Sequence, residues 1–292
     1  MGNNQNLPVR QYAPQYRQIL TTVFDVKKAF EGVLAPIQSL DGVQFNSKAF
    51  SVKTNGTPVV VGTYSTDANT AMGTGTGQGS RFGQLTEVIY QDTEVPYDYS
   101  LAIHEGIDRY TVNNDLNAAV ADRFKLHAEA QTREMNKKVG KFLSANAGKT
   151  EALADLTEES IKKLFNAVNT YVINTEINAP IKAYIRAEIY NAIIDLTSTT
   201  TAKGSNISLD NNGLAKYKNV TLVEVPTQYF ENEVVGIFAP DGIVIPFVGI
   251  QTARTVEAED FDGVKLQAAA KGGTYVLDDN KKAIIKVTGT IA

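Results

Sequence analysis

The residues able to do acid–base, nucleophilic or metal chemistry are few and badly placed for it. The chain has two histidines, His104 and His127, and no cysteine. A Ser/His/Asp triad needs a histidine base beside a nucleophile on a sharp turn, and neither histidine has such an elbow in its sequence neighbourhood. His104 falls in a strand-like run and His127 near an apolar helical stripe, three residues after Phe124, so both read as packing or surface histidines with satisfied rings. Without thiolates, and with only two imidazoles, most zinc sites are excluded. Glu257, Glu259, Asp260 and Asp262 form an acidic cluster able to attract Ca²⁺. Their spacing is not that of an EF-hand, and alternating strand positions point such charges into water. The run GTGTGQG over 73–79 has the glycine content of a phosphate loop. It lacks both the G-x-G-x-x-G of a dinucleotide turn and the G-K-[ST] of a P-loop. Basic residues are scattered, without the patch and interleaved aromatics of nucleic-acid readout. No catalytic, cofactor-binding or metal residue is expected, and the chain does not read as an enzyme.

Composition is that of an ordinary globular chain. The 292 residues are 43% hydrophobic and 21% charged, enough for one large or two small soluble domains with a real core. A net charge of −4 gives no strong attraction to nucleic acid or anionic membrane. No run approaches the roughly 18 apolar residues of a membrane span, and the polar start MGNNQNLP is no signal peptide. It opens like a myristoylation site but has Asn6 where Ser or Thr is needed. With no disulfide available, stability must come from packing or assembly, and the chain suits a reducing cytoplasm.

The longest regular pattern lies at 113–148, NNDLNAAVADRFKLHAEAQTREMNKKVGKFLSANAG. Leu116, Val120, Phe124, Ala128, Met135, Val139, Phe142 and Leu143 follow helical spacing, with charged residues around the rest. Asn113 and Asn114 are candidate N-caps, Asp115 complements the helix dipole, and Gly148 is the candidate stop. The pattern predicts about 30 helical residues, roughly 45 Å, with Gly140 as the point for a bend. Its four-residue spacing, interrupted by Gln131, argues against a coiled coil. It reads as a girder packed on one side against a sheet of the same chain.

Before the girder, residues 1–16 carry Pro8 and Pro14 and read as an extended polar arm, and 17–30 as a short amphipathic helix. Alternation then begins: VQFNSKAFSVKTNG, with Asn55-Gly56 as a turn signal, and PVVVGTYS. Residues 66–83 lack hydrophobic anchors, and LTEVIYQDTEVPYDYSLAIHEGI resumes the strand character, with Pro96 marking an edge or break. Residues 40–104 thus form a two-armed β excursion. A lone ribbon is marginal in water, so it needs a surface to lie on, such as another subunit. After the girder, Thr157 caps a second helix with Leu156 and Ile161 as its staple. IKAYI over 181–185 reads as a strand, AEIYNAIIDL over 187–196 as a helix, and 197–213 as a long polar loop. NVTLVEV, VVGIFA and GIVIPFV are strands, the last two joined across Pro240-Asp241-Gly242, and the tail from Arg254 holds three more. The class is α+β.

This order of parts, with the phrases HEGIDRYTVNNDLNAAVADR, FAPDGIVIPF and FDGVKLQAAAKGGTYVLDDNKKAI, resembles the major capsid proteins of tailed bacteriophages, the family with the HK97-type fold. The resemblance covers nearly the whole chain. It implies an N-terminal arm over 1–38, a β-hairpin E-loop over 39–104 and a P-domain with a spine helix over 105–179. An A-domain over 180–245 and P-domain return strands over 246–292 would follow. It implies self-assembly as hexamers and pentamers into an icosahedral shell enclosing double-stranded DNA. Its partners would be a scaffolding protein and a portal, with no membrane, assembly in the host cytoplasm and residence in the virion capsid. The start at Met1, without a long charged helical segment before the arm, favours a separate scaffolding protein. Intersubunit contacts are expected at the excursion's tip, from Thr70, Gly73, Gly75, Gly77, Gly79 and Arg81. Some family members lock their shells by isopeptide bonds from an E-loop lysine to a neighbour's asparagine. No lysine occurs here between Lys53 and Lys125, so a non-crosslinked shell is expected. The alternatives are a bacterial nanocompartment shell around a cargo enzyme, and a tail or adhesion-type virion protein.

Overall fold

The computed structural model describes residues 26–39, 48–67, 80–112, 115–196, 208–210 and 213–290, and its longest element is the predicted girder, α1 (Leu116–Ala145). Asp115 is its N-cap: the carboxylate accepts from the Ala118 N–H at 3.4 Å, satisfying one orphan donor of the first turn. Asn113 and Asn114 lie outside the described residues. The helix runs 30 residues without interruption, so Gly140 does not end it. A Cβ at Gly140 would stand 2.0 Å from the Tyr229 carbonyl oxygen; the glycine lets another backbone touch the helix. Gly148 is not the stop either. Asn146 ends the helix with its N–H on the Phe142 carbonyl, and the Gly148 N–H bonds instead to the carbonyls of Lys281 and Ile284.

Behind α1 stands a seven-stranded mixed sheet in the order β5 (Lys149–Ala152), β13 (Ile285–Thr288), β10 (Val234–Pro240), β6 (Ile181–Arg186), β9 (Val220–Val225), β8 (Gly213–Tyr217) and β7 (Ser208–Asp210). β6 and β9 are parallel across a connection containing α3 (Ala187–Ile194), as are β5 and β13; the other neighbours are antiparallel. β10 is buried along its whole length, as a strand covered on both faces must be. Alternation along β6 separates two cores. Ala183 and Ile185 join Ile161, Leu164, Phe165 and Val168 of α2 (Glu158–Asn174) and Ile189 and Ile193 of α3. Tyr184 points the other way, among Phe30, Val139 and Leu143 of α1, and Phe230. Thr157 caps α2 as expected, accepting from the Ser160 N–H at 3.4 Å. β5 and β13 enter from outside 180–245, so the sheet draws on chain to both sides of that range. Part of the expected loop at 197–213 is strand: β7 pairs antiparallel with β8, while 197–207 and 211–212 lie outside the described residues.

A second, four-stranded sheet runs β1 (Gln38–Ser39), β11 (Ile245–Glu257), β12 (Gly263–Tyr275) and β4 (Tyr99–Asp108). α1 touches both β4 and β12, which is the girder-on-sheet packing the sequence predicted. From this sheet springs a two-stranded ribbon, β2 (Lys48–Thr54) with β3 (Gln91–Pro96). Its root is pinned by Phe50, edge-on to Phe247 at 5.1 Å and to Tyr275 at 5.9 Å, and by the Asp98 N–H on the Gly272 carbonyl. Pro96 closes β3, as an edge or break residue should. Two expectations fail here: PVVVGTYS forms no ladder, and Asn55-Gly56 sits where the ladder stops and makes no hairpin turn. Of the helix expected over 17–30, residues 17–25 lie outside the described residues, and 26–30 are not helical; a 3₁₀ turn follows at Glu31–Val33.

The segment before that turn is held by one side chain. Asn136, buried on α1, donates from Nδ2 to the Lys27 carbonyl at 2.9 Å, and its Oδ1 accepts from the Ala29 N–H at 3.0 Å. A helix side chain thus acts as a strand partner, leading Phe30 and Val33 into the core.

Candidate assembly surface

The ribbon's ladder ends at the Thr54–Gln91 pair. Beyond it the two arms run unpaired until the Ser65 N–H reaches the Arg81 carbonyl at 2.9 Å and the rings of Tyr64 and Phe82 meet edge-on at 5.2 Å. Between the arms lies an open cleft of about 860 Å³, lined by Asn55, Val59, Val60, Phe82, Leu85 and Val88 among others. Its walls are apolar and wet. Val59, Val61 and Leu85 are 90%, 91% and 94% exposed, and Val60, Tyr64, Phe82, Val88, Ile89 and Tyr90 are all more than half exposed. Single exposed apolar residues need no explanation, but a contiguous group of this size marks an interaction surface. Each such side chain contributes about 1.5–3 kcal/mol when fully buried. The chemistry on offer is adhesion.

Of the six contact residues expected at the tip, Thr70, Gly73, Gly75, Gly77 and Gly79 lie outside the described residues, as does the rest of the glycine run. Arg81 is described, and its carbonyl holds the two arms together. The exposed surface inboard of the tip was missed by the sequence reading, though a signal was there. Three successive valines at 59–61 and the dense LTEVIY at 85–90 break the alternation of a strand with one wet face. The proximal lysines are engaged across the ladder, Lys48 with Glu94 and Lys53 with Asp92 at 3.5 Å; exposed pairs of this kind add little stability.

The densest polar cluster joins β4 to the front half of α1. Glu105 accepts from Arg123, with Nη2–Oε1 at 2.7 Å, and from His127 Nε2 at 2.7 Å. The Arg123 hydrogen bond, opposed by partial burial and helped by His127, pulls the Glu105 carboxyl down to about 2. His127 is only half satisfied, contrary to expectation: it is buried, and its Nδ1 has no partner among the described residues. His104, the next residue to Glu105, is exposed on the opposite side of β4, so the two histidines do not converge. The acidic cluster is spread along the β11–β12 tip, where Asp260 pairs with Lys265 at 2.7 Å and Asp262 with Arg109 at 3.5 Å. Among the described residues no three His, Asp or Glu side chains come together as a metal site, and no helix is long and apolar enough to cross a membrane.

No family model matches the sequence, and no curated protein matches it. Solved structures do. The chain is similar to a capsid structure of cyanophage P-SCSP1u, at 12% identity over 92% of this chain and 90% of that one, with a TM-score of 0.63. It is similar to the mature capsid of bacteriophage PhiM1, at 9% identity over 91% and 88%, with a TM-score of 0.67. A shorter match, 69% of this chain and 77% of the other at 11% identity with a TM-score of 0.51, is to the SrpI encapsulin complex of Synechococcus elongatus PCC 7942. With about nine-tenths of this chain and of each phage chain covered by the match, the fold is the HK97-type capsid fold that the sequence resemblance implied.

Proposed function

We propose that this chain is the major capsid protein of a tailed phage, assembling as hexamers and pentamers into an icosahedral shell around double-stranded DNA. The carrying observation is the pair of arms beyond the β2–β3 ladder, with nine large apolar side chains more than half exposed in the single subunit. A surface of that kind is stabilised by docking on a neighbour, and neighbours around a five- or sixfold axis make head-to-tail contacts that close into rings. On this reading residues 1–38 are the arm, 39–104 the E-loop, 105–179 and 246–292 the P-domain, and 180–245 the core of the A-domain. The last of these borrows β5 and β13 for its sheet. A separate scaffolding protein and a portal would complete the assembly. The absence of lysine from 54 to 124 favours a shell without covalent crosslinks.

Negative-stain microscopy of the purified protein, paired with its light-scattering mass, tests the proposal. Closed shells, or rings that grow into shells, are expected. A monodisperse monomer or dimer that persists at high concentration and salt would sink it. The encapsulin likeness supports a second reading, a nanocompartment shell. Co-purification of one cargo protein in place of DNA would select that reading.

A further inference from the structure

Asn55-Gly56 ends the β2–β3 ladder without making a hairpin turn. The Thr57 N–H donates to Asn55 Oδ1 at 2.7 Å. This bond folds the side-chain amide back along its own backbone and polarises the carbonyl, making Cγ a better electrophile. The next peptide nitrogen belongs to a glycine with no heavy atom within 4 Å of the site a Cβ would occupy. The Gly56 N–H donates to no described residue. Electrophile, nucleophile and open space therefore coincide in an unpaired segment. The other Asn-Gly step, at 212–213, includes Asn212, which lies outside the described residues.

We propose that Asn55 is a self-modifying site. The Gly56 nitrogen attacks Asn55 Cγ, a new N–Cγ bond closes a succinimide ring, and the Cγ–Nδ2 bond breaks. The proton from the Gly56 nitrogen leaves with the departing amine as ammonia. Water then adds to one of the two ring carbonyls and reopens the ring, leaving aspartate or isoaspartate at position 55. Water is the only co-reactant, and no oxidant is consumed.

The product places a new negative charge on the wall of the cleft, two residues along the chain from Lys53, whose partner is Asp92. The isoaspartate form also adds a methylene to the backbone at the root of the arm that carries Val59 and Val61. The modification changes the charge and reach of the surface proposed to dock. Only one consequence rests on the assembly reading: docking immobilises the arm and so slows ring closure in the shell.

The free subunit is incubated in mildly alkaline buffer, and the tryptic peptide 54–81 is followed by tandem mass spectrometry with isoaspartyl-methyltransferase labelling. Conversion at Asn55 is expected to track that of an unstructured peptide of the same local sequence, to rise with pH, and to slow roughly tenfold in Gly56→Ala, whose Cβ restricts the backbone. An intact Asn55 in the subunit while the peptide converts overturns the proposal. Assembled shells are expected to convert more slowly than free subunits, and equal rates would overturn the protection by docking. Whether shells form at all is read separately by microscopy, so failure of the assembly reading is not confused with failure of this one.

Discussion

Replacing Val59 and Val61 together with serine separates the stability of the subunit from the stability of its contacts. The two valines are 90% and 91% exposed, so the free subunit loses almost no burial. Exposed substitutions of this kind fall within about ±0.5 kcal/mol, a shift in Tm of at most about 2 °C for a chain of this size. Docking is another matter. Burying the pair contributes about 3 kcal/mol per subunit at the low end for aliphatic side chains. At about 1.4 kcal/mol per decade, the critical concentration for assembly should rise roughly a hundredfold. The assay is light scattering against subunit concentration, with a thermal melt of the unassembled protein beside it. Val60→Ser, between the two, reports whether docking covers that residue as well. An unchanged critical concentration for the double variant refutes the reasoning. So does a fall of several degrees in the free subunit's Tm, which would mean that the valines were already buried.

Three further perturbations probe the body of the fold. Gly140→Ala drives a methyl group into the Tyr229 carbonyl oxygen, 2.0 Å from the ideal Cβ, and is expected to cost roughly 1–3 kcal/mol, read as a lower Tm of the free subunit. Asn136→Ala removes both hydrogen bonds to the Lys27–Ala29 backbone, each worth about 1 kcal/mol. Limited proteolysis should then cut before Phe30 faster than in the parent, with the later core intact. The Glu105 carboxyl, held at about 2 against an ordinary 4.5, gives stability that is fully present above pH 4.5 and lost as pH falls toward 2. Glu105→Gln should flatten that acid limb by on the order of 1–2 kcal/mol, discounted for a carboxylate that is partly exposed. Denaturant titrations at several pH values check the slope.

Much of the body was legible because local chemistry and tertiary demand coincide there. α2 starts at the predicted cap, β6 fills its predicted window and overruns it by Arg186, α3 falls within its own, and β10 carries the unbroken apolar run of a strand buried on both faces. The reason for Gly140 in α1, and for Gly148 beyond its end, was not legible because it is not local. Gly140 and Gly148 have ordinary helical or terminal contexts in sequence, and the backbones that require them, at Tyr229 and Lys281, lie far along the chain. Asn136 was invisible for the same reason, since a buried amide that replaces a strand partner has no spacing signature. The assembly surface was half legible. The ribbon itself was legible, but the glycine tip drew attention away from the valines that are exposed.

Those valines explain why the chain divides its stability as it does. The two cores flanking the seven-stranded sheet bury their large side chains within one subunit, with Tyr184, Phe165, Phe238 and Leu143 all below 2% exposure. The ribbon keeps only its root in the same condition, through Phe50 on Phe247, and leaves its arms without ladder bonds. Arms rich in apolar residues are a liability in a free subunit, where they invite pairing with any chain. Had they been closed by a full ladder, the ribbon would be stiffer, but its apolar faces would still lack cover. Leaving them open lets each arm adapt to the surface it meets. On the assembly reading, docking would supply in one step the hydrogen bonds and the burial that the single chain withholds, and would favour the assembled state by mass action.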